Sequence, residues 1–178
     1  GHEAEGLELL GRLMAARPEA ETTRASESIA DTLVGRRLYP AAYRLLASML
    51  GRYEGLKFKE VALECAYLQL EMGRPAAADR HLRQAEAVEA SSKATIAMTN
   101  LIRGIRALGA NQVDAALDLL GESLADLEPF SRQKEIALYY NYRAYRKADQ
   151  PDVADNILQE LKLVYPDGAY ADSLEDAS

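Results

Sequence analysis

An alanine followed four residues later by a leucine recurs along the chain, at Ala42/Leu46, Ala78/Leu82, Ala116/Leu120 and Ala154/Leu158. A degenerate copy, Gly6/Leu10, precedes them, and successive copies stand 36, 36, 38 and 38 residues apart. Three residues after each leucine come Leu13, Met49, Ala85, Ser123 and Leu161, mostly apolar. Steps of four and three keep these side chains on one face of a helix, so each copy predicts a helix, here termed B. Pro40, Pro75 and Pro151 stand just before three of the copies, and proline suits the first turn of a helix. Pro18 and Pro166, twelve residues after the small residue of the first and last copies, close their units. Longer amphipathic stretches lie between, over residues 22–37, 56–72, 92–108 and 129–148, and predict the A helices. Strands have little support. No alternation is sustained, Asn-Gly hairpin dipeptides are absent, and Ala, Leu, Glu, Arg and Gln favour helix.

Two helices alone cannot bury both sides of their apolar stripes, whereas neighbours on each side can; about three such units are needed for a stable stack. A small residue, a large apolar one four later and a closing proline resemble the back half of the tetratricopeptide repeat. The run Val113-Asp114-Ala115-Ala116-Leu117-Asp118-Leu119-Leu120 carries the resemblance most closely. It implies an all-α, right-handed α-α superhelix of about four hairpins plus an N-terminal half-unit. One solenoid would then span 1–178, with a half-unit at 4–18, hairpins at 22–53, 56–90, 92–128 and 129–166, and a tail at 167–178. The period exceeds the usual ~34 residues, and tryptophan is absent. Ala30 and Ala66 supply the small residue expected near the middle of an A helix, while strict register places Tyr142 in the fourth. In the third unit, Met98, Leu101, Ile102 and Ile105 form the buried stripe. That predicts an insertion of two residues, Ala110-Asn111, in its A–B turn. The run Tyr165-Pro166-Asp167-Gly168-Ala169-Tyr170 reads as the lead into another helix, and the chain as a piece of a longer protein or as one whose ends a partner covers.

Charge and composition narrow the functions. The net charge is −7, from 21 basic and 28 acidic residues, which argues against a nucleic-acid partner. Apolar residues make up 48% of the chain, enough for a core, but no uncharged apolar stretch nears the ~18 residues of a membrane span. The single cysteine, Cys65, forms no internal disulfide and reads as a small core residue. Gly1-His2 reads as a tag remnant, and His81, among Arg80, Arg83 and Gln84, as an ordinary surface histidine. No phosphate loop, converging metal ligands or nucleophile–base pair is legible. The expectation is a protein that is not an enzyme and takes no cofactor and no metal.

Two features point to binding. Arg103 and Arg106, and Arg143 and Arg146 with Lys147 beside them, form i, i+3 pairs on the third and fourth A helices. The family resemblance places A helices along a concave groove, and arginine forks there would take carboxylates bidentately. Tyr139, Tyr140, Tyr142 and Tyr145, with Phe130 ahead of them, form an aromatic stretch suited to interfaces. Tyr139 is placed in the groove, with Leu63 and Tyr67 extending its lining. The reading is a protein–protein interaction scaffold that holds a peptide or partner segment, acidic in character, without nucleic acid or direct membrane insertion. The alternative is a self-assembling spacer that forms homo-oligomers through its exposed ends. Likeness of the Tyr-Pro-Asp-Gly-Ala-Tyr junction to envelope-associated tetratricopeptide proteins suggests a bacterial assembly at the envelope or periplasm.

Overall fold

The computed structural model describes residues 19–170, and the first half-unit and the last eight residues of the tail lie outside them. Eight α-helices alternate A, B along the described chain: α1 (Glu19–Gly35), α2 (Tyr39–Met49), α3 (Gly55–Glu71), α4 (Pro75–Glu86), α5 (Lys93–Gly109), α6 (Val113–Asp126), α7 (Arg132–Lys147) and α8 (Pro151–Val164). A 3-10 turn at Leu50–Arg52 follows α2, and no strand occurs among the described residues. The densest packing joins each A helix to its own B helix, α1 with α2, α3 with α4, α5 with α6 and α7 with α8. Each B helix also meets the next A helix, and α3, α5 and α7 touch in succession. The fold is all-α, built from packed helix pairs. None of the described helices is long and apolar enough to cross a membrane.

The four A–B turns are copies of one another. Each has three residues, at 36–38, 72–74, 110–112 and 148–150. The middle residue has a positive φ in every turn: Arg37 (58°), Gly73 (69°), Asn111 (63°) and Asp149 (58°). Its N–H bonds the carbonyl three residues back, and the next N–H bonds the carbonyl five back, as in Leu38 N–H to Leu33 O and Gln150 N–H to Tyr145 O. This Schellman arrangement satisfies carbonyls that the end of a helix would otherwise orphan. The left-handed residue always stands five positions before the repeated alanine, so the backbone repeats where the side chains differ.

The alanines at 42, 78, 116 and 154 are all buried, as are Met49, Ala85, Ser123 and Leu161. Opposite Ala116/Leu120, the small residue of the third A helix is Gly104, where an added Cβ would lie 2.7 Å from Leu120 Cγ. Gly104 stands twelve residues before Ala116, as Ala66 does before Ala78, so this hairpin keeps strict register. The expected insertion of Ala110-Asn111 is therefore corrected: the third A–B turn is no longer than the others. The extra residues lie in the B helices, of 11, 12, 14 and 14 residues, and in the B–A connections. The buried stripe Met98, Leu101, Ile102 and Ile105 stands as expected. The fourth A helix begins at Arg132 rather than near 129, because the Ser131 hydroxyl caps it by accepting from Lys134 N.

The A helices share an inner face, and that face is not an open trough. From α7, Tyr140 O–H donates to Glu71 of α3, and Arg132 pairs with Glu64 of α3 at 2.8 Å. The chain after α8 supplies the rest. Residues 165–170 turn back, and Tyr170 is buried against α3, α7 and the α1–α2 turn, while the further helix expected after this run falls outside the described residues.

Candidate functional site

Tyr170 occupies a slot built by three separate parts of the chain. Its ring stacks on Tyr139 of α7, with centroids 4.3 Å apart, and the Arg37 guanidinium lies 4.8 Å from its centroid. Its hydroxyl shares a hydrogen bond with Tyr67 of α3 and lies 3.4 Å from that of Tyr39. Its backbone N–H donates to the Glu135 carboxylate at 3.0 Å, and the N–H of Ala169 donates there too. Burial pushes the hydroxyls of Tyr67 and Tyr170 well above the ordinary phenol value, so they act as neutral hydrogen-bonding groups. Burial also raises Glu135, and the two N–H donors oppose that rise.

Beside this slot the C-terminal ends of α3, α5 and α7 enclose about 480 Å³, lined by Leu70, Ile105, Arg106, Leu108, Tyr140, Arg143 and Lys147. A contiguous space of about 380 Å³ adds Arg37, Tyr39, Glu71, Tyr139 and Tyr170. At the opposite end, a hollow of about 350 Å³ at the starts of the same helices gathers Glu27, Asp31, Glu60, Glu64 and Glu128 against Lys57 and Arg132. The inner face is therefore basic at one end and acidic at the other.

The proposed binding residues divide among these places. Arg143 lies over the rings of Tyr139 and Tyr140, at 5.6 and 5.4 Å, and has no ion pair among the described residues. Lys147 Nζ donates to Leu108 O at 3.3 Å at the rim of the basic end. Arg106 lines the same space, but Asp79 of α4 takes its fork bidentately at 2.7 and 2.8 Å. That bond lowers the Asp79 pKa. Arg103 likewise turns to α4 and grips Glu86 at 2.6 Å. Arg146 points to Asp155 of α8 at 4.0 Å, well exposed. Leu63 and Tyr67 are 1% exposed and belong to the core, with Leu63 at the back of the acidic hollow and Tyr67 at the back of the slot that Tyr170 fills. The four arginines form no single ladder, and only Arg106 and Arg143, with Lys147 and Tyr139, meet at the basic end.

The remaining candidates also find places. Phe130 is 78% exposed, while Tyr142 and Tyr145 are half-buried. Cys65 is buried, and burial pushes its thiol up to about 12. His81 is not a freely solvated side chain: it is half-buried edge-on to Tyr43, with Nε2 3.2 Å from the Tyr43 hydroxyl, and burial lowers its pKa.

Sequence reasoning missed Tyr170, Glu135, Arg37 and Tyr39. Only Gly168 hinted at the slot, since glycine permits a close backbone approach. An added Cβ on Gly168 would stand 2.4 Å from Glu135 Oε1. Scanned against protein-family models, curated proteins and solved structures, the chain matches none of them.

Proposed function

We propose that the chain is a protein–protein interaction scaffold of the tetratricopeptide type, its helix pairs wound as a right-handed superhelix that holds a partner segment along the inner face. The observation that carries this reading is the basic end of that face. Arg143 and Lys147 stand beside about 480 Å³ of open space with no carboxylate partner among the described residues, next to the partly buried ring of Tyr139. A guanidinium resting on aromatic rings keeps its fork free for a carboxylate, and a flanking tyrosine adds apolar area. The preferred ligand is an acidic segment or a chain terminus, and the setting is a larger multiprotein assembly.

Fluorescence anisotropy with a labelled acidic octapeptide tests this, comparing a free C-terminus with an amidated one. Arg143→Glu combined with Lys147→Glu is expected to reduce binding by at least tenfold while leaving helicity unchanged. Unaltered binding removes the basic end from consideration. A second reading, stacking of copies into an oligomer, is favoured by Leu163 and Val153 of α8, which are 83% and 38% exposed. Light scattering across a concentration series separates the two, because a module that only binds peptides stays monomeric.

A further inference from the structure

The segment 168–170 is bound as a ligand would be. None of the groups that hold Tyr170 belongs to the helix that precedes it: Arg37 is the middle residue of the α1–α2 turn, Tyr39 opens α2, Tyr67 comes from α3, and Glu135 and Tyr139 from α7. We propose that this slot is a recognition site for a partner segment that turns as residues 168–170 do and carries a glycine two residues before a tyrosine, occupied in cis by Gly168-Ala169-Tyr170 until such a segment displaces it. The inference rests on the scaffold reading above and names its ligand more closely.

Each contact reads a different property. The Glu135 carboxylate accepts from two successive backbone N–H groups, which the turn at 169–170 aims the same way and a fully extended strand would point to opposite sides. The Tyr139 face and the Arg37 cation take an aromatic ring. The Tyr67 and Tyr39 hydroxyls meet the phenol oxygen, so phenylalanine would cost the buried Tyr67 hydroxyl its hydrogen bond to the ligand. Gly168 lets the backbone approach Glu135, since a Cβ there would meet the carboxylate oxygen at 2.4 Å. About 220 Å³ remains open along the segment, and the Arg143 space adjoins the slot on the other side. A tethered segment competes at an effective concentration of roughly millimolar order. A partner that binds the empty slot at micromolar strength is therefore weakened by orders of magnitude while the cis segment stays in place.

The test uses the full chain carrying Tyr170→Ala and a labelled peptide of sequence Tyr-Pro-Asp-Gly-Ala-Tyr, followed by anisotropy. The variant is expected to bind at least ten times more tightly than the native chain, and to lose that binding when Tyr139→Ala is added. Equal affinity of the native chain and the variant, or no binding by a variant of native helicity, overturns the proposal. If Tyr170→Ala loses helicity, Tyr170→Phe in the full chain keeps the ring and removes only the hydroxyl contacts. It should still raise peptide affinity several-fold, and no increase overturns the proposal. Dimerisation of the native chain that Tyr170→Ala abolishes would also overturn it, by assigning the slot to a second copy. Failure of this peptide, with the acidic octapeptide still bound through Arg143, refutes the tyrosine slot and leaves the scaffold standing.

Discussion

Replacing Gly104 with alanine should destabilise the chain, although alanine is the better helix former. At a mid-helix position the exchange gains about 1 kcal/mol of propensity. Against that, the new Cβ would stand 2.7 Å from Leu120 Cγ, 2.9 Å from Cδ2 and 3.3 Å from the Leu120 backbone N. Leu120 is completely buried and cannot swing aside. Overpacking of this kind costs about 1–3 kcal/mol, so the net change runs from about zero to a loss of about 2 kcal/mol, and a Cβ this close to a buried side chain places it toward the upper end. For a domain of this size 1 kcal/mol moves the melting temperature by roughly 2–4 °C. Gly121 supplies the control, because it lies in α6 beside Leu120 with nothing within 4 Å of its added Cβ. Gly121→Ala should raise the melting temperature by a few degrees through propensity of about 1 kcal/mol alone. A cycle with Leu120→Ala isolates the contact. That change costs roughly 2–5 kcal/mol by itself, but Gly104→Ala on its background should turn from harmful to neutral or favourable. The assay is urea and thermal unfolding followed by circular dichroism. If Gly104→Ala and Gly121→Ala stabilise alike, the A–B backbones do not approach as closely as this reasoning requires.

Two further predictions concern the turns and His81. Gly73→Ala should cost about 1 kcal/mol, because its φ of 69° strains any residue with a Cβ, whereas Asn111→Gly at the equivalent position should leave stability nearly unchanged; a loss above about 1 kcal/mol at Asn111 in urea unfolding counts against the shared turn. Burial beside Tyr43 lowers the His81 pKa in the fold, so between the unfolded value near 6.5 and the lower folded one the unfolded chain binds the proton first. Stability should then fall as pH drops through that window, and His81→Gln should flatten the urea-midpoint difference between pH 7.5 and 5. Identical slopes for the two chains would exclude His81 as the cause.

The helix pairs were legible because burial repeats with helical spacing. Ala42, Ala78, Ala116 and Ala154 are the tightest points of four hairpins, and a small side chain at a close backbone approach leaves its mark in a single sequence. The turn between them left none, since arginine, glycine, asparagine and aspartate all adopt the same left-handed conformation there. Only glycine and asparagine commonly announce it. Gly104 stands in strict register, but the buried stripe of Met98, Leu101, Ile102 and Ile105 around it carries no mark of which helix each side chain faces. The site was less legible still. Whether an arginine faces a cavity or a carboxylate depends on what the adjacent helix presents, and Asp79 and Glu86 lie 27 and 17 residues from Arg106 and Arg103. The slot for Tyr170 joins residues more than a hundred positions apart, which no local pattern records.

The two charged ends of the inner face follow from helix direction. The starts of α3, α5 and α7 line one hollow and their ends line the other, so the three helices run the same way and their dipoles add. Acidic side chains gather at the positive ends and basic ones at the negative ends, as Lys147 Nζ does at the Leu108 carbonyl. Helix stabilisation thus accounts for the sign of each end without any ligand. It does not account for Arg143, which reaches neither a carbonyl nor a carboxylate among the described residues and rests on two tyrosine rings instead. The dipoles set where the positive charge lies; the aromatic support leaves one guanidinium fork without a carboxylate among the described residues. Any segment drawn into the face would therefore be oriented by it, with its acidic end toward Arg143 and its basic end toward Glu60 and Glu128.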